Sequence, residues 1–436
     1  MECPCLGRYS WLDFVFAVVG VCTFLFDVGS DVWVAREFYI HGELFWFSAL
    51  LGFMLFSSVI VQMFSWSWIK HDSQLKDYDS QTEGRRVLLC GDPKRATLTA
   101  FLHVFQLGFF LRHISAIWLG FCVWWRGDGG SEYAVYLTHD LSLLRLIETF
   151  CESAPQLSLM IYIMLHTNHA RTIQYVSAMA STTSIAWMVV DYHRSLRSFL
   201  PNANQQAWPS SMVYFLWNLL LIAPRVLTVA LFTSVLPQYI AAHYLCLWLV
   251  FVLWAWLQGT DFMEGPVGEW LYRATIGSIW YFSWFNVAEG KTRWRSVIYH
   301  SFIITDSGIL LFTWWWLRDP ESTKSYYFFF LLFIPLSYLL GLLVKALYYC
   351  CFHPKHLKLE GLGKSGEDEM DAGVAQTASL QTDSAQPKVV SHRPQVVNNR
   401  MAKHVNNFYS TTVYPVAKTE KQDKNHDGLN TRCWFS

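Results

Sequence analysis

In this chain of 436 residues, the side chains whose types and spacing could do chemistry are ionisable groups inside apolar runs. Asp13, Asp27 and Asp31 share one run; Glu148 and Glu152 share another, with Asp140 and Arg145 just ahead of them. Asp191 and Arg194 close a fifth run, Arg225 follows Pro224 in a sixth, and Asp306 lies in a ninth. At 100° per residue, Asp27 and Asp31 stack on one helix face, and Asp13 falls within about 40° of Asp27. Glu148 and Glu152 repeat the i,i+4 spacing, at which like charges repel by a few tenths of a kcal/mol even in water.

At the bilayer centre each such group costs on the order of 2.5–3.5 kcal/mol on insertion scales. Six or more facing lipid tails would cost roughly 15–20 kcal/mol, above the typical 5–15 kcal/mol net stability of a fold. Internal pairing answers part of this: Arg225 with a carboxylate of the first, fourth or ninth run, and Arg145 or Arg194 with another. Protonation neutralises some of the rest. The excess of carboxylates over nearby arginines still calls for a use. A phospholipid headgroup carries a phosphate and usually an ammonium. A staircase of carboxylates with a few arginines could pass it across while its tails stay in lipid.

Other chemistries lack their residues. There is no G-x-S-x-G, no H-E-x-x-H and no P-loop, so neither hydrolysis nor coupling to ATP is expected. The formal net charge of +0 gives no case for nucleic-acid binding. The ten cysteines have no metal-ligand spacing, and no cofactor is expected. His113, His139 and His243 stand singly and read as core or capping residues.

The elements that must position these charges are membrane helices. The chain is 53% hydrophobic, 17% aromatic and 15% charged, against about 25% charged in soluble domains. With roughly 20 apolar residues needed per span, about ten segments qualify, near 11–34, 44–69, 97–125, 137–166, 173–192, 211–234, 237–257, 269–287, 297–317 and 326–350. The fourth, "RLIETFCESAPQLSLMIYIML", holds two glutamates and Pro155 in its middle, and is expected to be broken or re-entrant. Lys70, Lys76, Arg85, Arg86, Lys94 and Arg95 crowd the second loop while the first holds only Arg36, which puts the N-terminus in the cytoplasm. An even number of crossings puts the C-terminus there too. Eight crossings plus two inserted segments, or ten crossings, both fit.

The apolar pattern stops near Pro354, dividing the chain into a membrane part (1–353) and a polar cytoplasmic tail (354–436) expected to be disordered. The tail holds "GEDEMDAGVA". Asp368 and Asp371 have the spacing an Asp-specific protease prefers, Ala372 is small enough for its leaving-group pocket, and "GLGKSG" ahead of them can be drawn out as a strand. Cutting after Asp371 would release 372–436 and spare every membrane segment. The released piece carries "NNFYSTTVY" and "CWFS". An aromatic patch such as Trp434 with Phe435 is a candidate plug for the cytoplasmic end of the path.

"FLFDVGSDVW" (24–33), "LRLIETFCESAPQL" (144–157), "VDYHRSLR" (190–197), "YFLWNLLLIAPRV" (214–226), "WLQGTDFM" (256–263) and "WYFSWFNVAEGKTR" (280–293) resemble the XK-related membrane proteins, and most of all their caspase-activated phospholipid scramblases. The resemblance runs in order from about residue 8 to the tail. It implies an all-α polytopic fold of eight spanning helices plus two segments that enter without crossing. It also implies energy-independent scrambling that exposes phosphatidylserine on apoptotic cells, at the plasma membrane, after cleavage by an executioner caspase. Asp13, Asp27, Asp31, Asp140, Arg145, Glu148, Glu152, Asp191, Arg194, Arg225 and Asp306 match the family's charged residues in the lipid layer. Trp46 matches an aromatic at the extracellular mouth, where Glu43 departs from the basic residue expected beside it. A single-span immunoglobulin-type glycoprotein of basigin or neuroplastin kind is the implied partner. Two other readings use the same residues: a transporter or channel, which would enclose a midplane pocket, and a structural subunit that anchors a single-span partner.

Overall fold

The computed structural model describes residues 11–72, 93–126, 131–167, 172–197, 208–263, 265–287 and 292–352. The expected protease site (Asp368, Asp371, Ala372) and the candidate plug (Trp434, Phe435) lie outside them, as does the side chain of Asp13. The described residues are mostly helical, without a strand. In order they form α1 (Trp11–Ile40), α2 (Leu44–Asp72), α3 (Pro93–Val104), α4 (Gly108–Arg126) and α5 (Ser131–Glu148), then a π turn (Thr149–Ser153) and α6 (Ala154–Thr167). There follow α7 (Thr172–Arg197), α8 (Trp208–Val235), α9 (Ile240–Leu257), α10 (Pro266–Phe282), α11 (Thr292–Leu317), the single turn α12 (Pro320–Thr323), α13 (Tyr327–Leu347) and a closing π turn (Tyr348–Phe352).

Six of these stretches are long and apolar enough to cross a bilayer: Ala17–Ile40, Leu44–Lys70, Trp208–Val235, Pro237–Leu257, Thr292–Leu317 and Tyr327–Phe352. The third expected segment is instead two helices, with a bend of 118° between α3 and α4, a broken span or a re-entrant loop. Its corner is local chemistry. Gln106 takes φ 64°, and Leu107 N–H reaches back to the Leu102 carbonyl at 2.8 Å, the closure that ends a helix through a left-handed residue. Gly42, at φ 75°, ends α1 in the same way, with Glu43 N–H on the Phe38 carbonyl at 2.9 Å.

The fourth segment departs from expectation in form. Around Pro155 the helix widens instead of breaking, and Ala154 N–H bonds to the Thr149 carbonyl, the i→i+5 step of a π turn. Pro155 has no N–H to give, so a locally shifted ladder there forfeits little. α10 is short for a crossing, and after it the backbone of Ser283, Phe285, Asn286 and Val287 runs buried without helical structure. Such backbone survives at depth only when protein covers it. Trp280 donates its indole N–H to the Phe285 carbonyl at 2.7 Å.

α8 is the hub, with 15 of its 28 residues buried, and it packs on α6, α7, α11 and α13. Within lipid there is little hydrophobic drive between helices, so close approach depends on small residues. Gly341 of α13 supplies one. A Cβ there would meet Leu221 Cδ2 at 2.7 Å, and beside it Ser337 donates to the Leu220 carbonyl at 2.9 Å. Gly341→Leu should therefore overpack the α8–α13 seam and cost about 1–3 kcal/mol. Thermal unfolding of the purified variant in detergent measures this; an unchanged midpoint would mean that the seam is loose.

Candidate functional site

The carboxylates flagged in the first and fourth segments come together. α1 and the α5–π–α6 helix run parallel, and side chains pair them in register. Arg145 Nη2 donates to Thr23 Oγ1 at 3.3 Å, and Ser153 Oγ to Asp27 Oδ2 at 3.4 Å. With its amide turned to donate, Gln156 lies 3.2 Å from both Asp31 oxygens. The two backbones make little direct contact: α1 leans mainly on α2 and α4, while α5 is held by α2, α4 and α7. What lies between is a crevice bridged by polar side chains.

Its walls differ. Glu148 and Glu152 are buried at 8% and 9% exposure, whereas Asp27 and Asp31 are half-buried on a helix whose other face is open. Phe26, Val32 and Trp33 of α1 are exposed at 78%, 57% and 63%, a surface made for lipid tails. The crevice is therefore charged inside and apolar along its lip. Of the i,i+4 glutamates, Glu148 immediately precedes the π turn and Glu152 lies within it.

Among the described residues, one arginine serves this group. Arg145 Nη1 lies 3.4 Å from Glu148 Oε2, and its guanidinium sits 5.5 Å from the centre of the Phe24 ring. Its Nε and Nη1 are buried without a hydrogen-bonded acceptor. Four carboxyl groups face one arginine, and two of that arginine's nitrogens keep donor capacity to spare. Farther along α6, Tyr162 meets Trp46, the expected mouth residue, edge-on at 5.5 Å.

The remaining expected residues lie in other clusters. Asp140 pairs with Arg112 of α4 at 3.2 Å, both buried, and that guanidinium also holds Ser65 Oγ at 2.8 Å and the Ser65 carbonyl at 3.0 Å. Arg225 pairs with Asp306 of the ninth segment at 2.6 Å, one of the three partner segments expected for it. Asp306 also meets His243 Nε2 at 3.1 Å, so that half-buried histidine is bonded to the carboxylate of the pair. Arg194 donates to Ser211 Oγ at 3.2 Å and lies 5.9 Å from the centre of the Trp208 ring, with half-buried Asp191 on the same helix. The charged residues thus form several local groups, and the crevice gathers four of the carboxyl groups around one arginine.

Sequence reasoning passes over Arg112, although it stands inside the third apolar run as plainly as Arg225 does in the sixth. It also passes over Glu269, which accepts from the Phe262 and Met263 N–H groups at 2.9 and 2.7 Å and closes the loop before α10. Glu269→Ala should orphan two buried donors and cost roughly 2 kcal/mol or more, read as a lowered unfolding midpoint. Wild-type stability in that variant would mean that water replaces the carboxylate. Among the described residues, no group of three or more His, Cys, Asp or Glu is placed to hold a metal ion.

Comparison with known proteins matches a family model described as XK-related protein to residues 15–354 of this chain. The chain is 60% identical over 411 residues to XK-related protein 8 of Gasterosteus aculeatus, covering 94% of this chain and 100% of that protein. XK-related protein 8 of Tetraodon nigroviridis is likewise 60% identical over 411 residues, with 94% and 99% covered. XK-related protein 8 of Pan troglodytes is 40% identical over 361 residues, covering 80% of this chain and 87% of that protein.

Proposed function

The chain belongs to the XK-related family, and from that premise we propose that it is an energy-independent phospholipid scramblase whose path is the crevice between α1 and the α5–π–α6 helix. The observation that carries this reading is the shape of the charge: buried carboxylates in excess, beside an edge open to lipid. A headgroup drawn into the crevice exchanges its water shell for these side chains. Its ammonium is attracted to Asp27, Asp31, Glu148 and Glu152, and its phosphate to the Nε and Nη1 of Arg145, which have donor capacity to spare. Charge-assisted contacts of this kind are roughly twice as strong as neutral ones, and low local polarity strengthens them further. The acyl chains need not leave the bilayer, because α1 presents apolar side chains along the lip of the gap. No energy input is required, and lipid moves down its own gradient in either direction.

On this reading the protein works at the plasma membrane with both termini cytoplasmic. An executioner caspase cutting after Asp371 removes a tail that blocks the path, and phosphatidylserine then reaches the cell surface during apoptosis. A single-span immunoglobulin-type glycoprotein accompanies the scramblase.

The test is reconstitution of chain 1–371 in liposomes carrying fluorescent lipid, bleached from outside. Bleaching well past the outer-leaflet half is expected; a stop at half the signal rejects scrambling. The switch has its own prediction. In cells driven into apoptosis, Asp371→Ala should keep its tail and fail to expose phosphatidylserine. Exposure at the normal rate with the tail attached would place the switch elsewhere.

A further inference from the structure

Lys345, in the last turn of α13, differs from four embedded arginines. Arg112, Arg145, Arg225 and Arg273 each have a carboxylate within ion-pair distance, at 3.2, 3.4, 2.6 and 3.7 Å. Among the described residues Lys345 has none. Its Nζ lies 2.5 Å from Ser296 Oγ and 2.7 Å from His300 Nε2, and 5.3 Å from the centre of the Trp217 ring. An ammonium only donates, so His300 Nε2 accepts and the imidazole there is neutral. The ammonium has three donors and uses two on neutral groups, and Ser296 keeps a hydroxyl proton to give. When protonated, Lys345 puts a positive charge in apolar surroundings with no carboxylate in ion-pair reach among the described residues.

Position narrows what that counter-ion can be. Ser296 stands about 6 Å, at 1.5 Å per residue, from the start of α11, and Lys345 near the end of α13. Ser210, near the start of α8, donates to the Phe352 carbonyl at 3.1 Å, so these helix ends share one face of the bundle. From such a position a lysine side chain can extend along the helix to headgroup depth. Around the site the helices turn apolar side chains outward: Val297, Ile298, Leu343 and Leu347 are exposed at 49%, 58%, 58% and 47%. A lipid lying along them would bring its phosphodiester to Lys345 and its acyl chains to these residues.

We propose that Lys345, Ser296 and His300 form a seat for the phosphate of one phospholipid in the leaflet at the chain's C-terminal face. The seat is built by α8, α11 and α13, and the crevice by α1, α5 and α6, so it holds a resident lipid and stands whether or not the crevice is a path. Recognition is through the phosphate, which choline and serine headgroups share.

The test uses the full chain purified in mild detergent, with native mass spectrometry reading bound lipid and short-chain phosphatidylcholine as the probe. Wild type should hold one lipid more than Lys345→Met, whose apparent affinity for the probe falls tenfold or more, on the order expected for losing a hydrogen bond to a charged group. Lys345→Arg, which keeps the charge, should hold the lipid. Equal retention by wild type and Lys345→Met overturns the proposal. So does displacement of the probe by millimolar inorganic phosphate, which would make the ligand a soluble anion. Binding that arises only in chain 1–371 also overturns it, because the tail would then fill the seat. If Lys345→Met fails to fold, Ser296→Ala with His300→Phe gives the same reading. Scrambling is not measured, so failure here leaves the proposed function untouched.

Discussion

Arg225→Ala should be among the most damaging single substitutions in the membrane part, costing about 3–5 kcal/mol, the usual penalty for stripping one partner from a buried ion pair. Against a net stability of about 5–15 kcal/mol for a typical fold, that is enough to lose the protein from the cell surface. The Arg225 side chain is 0% exposed. Its Nη1 donates to Asp306 at 2.6 Å and Ser307 at 3.0 Å, its Nε to the Tyr281 carbonyl at 2.9 Å, and its guanidinium sits 4.7 Å from the centre of the Tyr281 ring. Through these bonds one side chain ties α8 to α10 and α11; Ser307 in turn meets Tyr338 of α13 at 3.0 Å, and Asp306 meets His243 of α9 at 3.1 Å. Truncation leaves Asp306 with an imidazole as its charge-capable partner among the described residues. Arg225→Lys should rescue little, because an ammonium cannot reproduce a fork that serves two helices at once. Removing both charges differs in kind. Arg225→Leu with Asp306→Leu should recover most of the stability, since an apolar pair of similar volume often replaces a buried ion pair at little cost. Surface labelling and thermal unfolding decide it. An alanine variant that traffics and melts like wild type would mean that water reaches the site.

What is legible in the sequence is each helix by itself. Charges in apolar runs stand out, and i,i+4 spacing alone places Asp27 with Asp31, and Glu148 with Glu152, on shared faces. What stays hidden is which face meets which helix. In a soluble protein the buried face differs from the wet one in hydropathy, but in a bilayer both the lipid and the neighbouring helix are apolar, so the contrast fades. Hence spacing limits Arg225 to three partner segments but does not single out Asp306. Nothing in the sequence marks Gln156 and Ser153 as the residues that reach across to α1. Arg112 is another matter: its run reads as one apolar segment, and the bend at Gln106 that turns it toward Asp140 depends on a left-handed residue that is not glycine. Pro155 is a true signal for irregular backbone, and its outcome, a π turn in place of a break, follows from how few donors a proline removes.

Changing Asp31→Asn together with Glu152→Gln should nearly abolish lipid flux and leave the fold as stable as before, or more so. The two effects separate because they draw on different properties of one crevice. For stability, four carboxylates face a single arginine, so neutral amides of the same shape relieve repulsion while keeping polar contacts such as Gln156 on residue 31. For transport, each carboxylate is a rung for the headgroup ammonium. If each lost contact raises the barrier by about 1.4 kcal/mol, flux falls roughly tenfold per site, and about a hundredfold for the pair. A charge pair outside the crevice makes the comparison: Arg225→Leu with Asp306→Leu removes as many ionisable groups but should leave the rate of bleaching in liposomes near wild type. The diagnostic result is thus a well-folded, surface-expressed Asp31/Glu152 variant that no longer moves lipid. Were that variant to carry lipid at the wild-type rate, the crevice would be a structural cluster and the headgroup would take another way across.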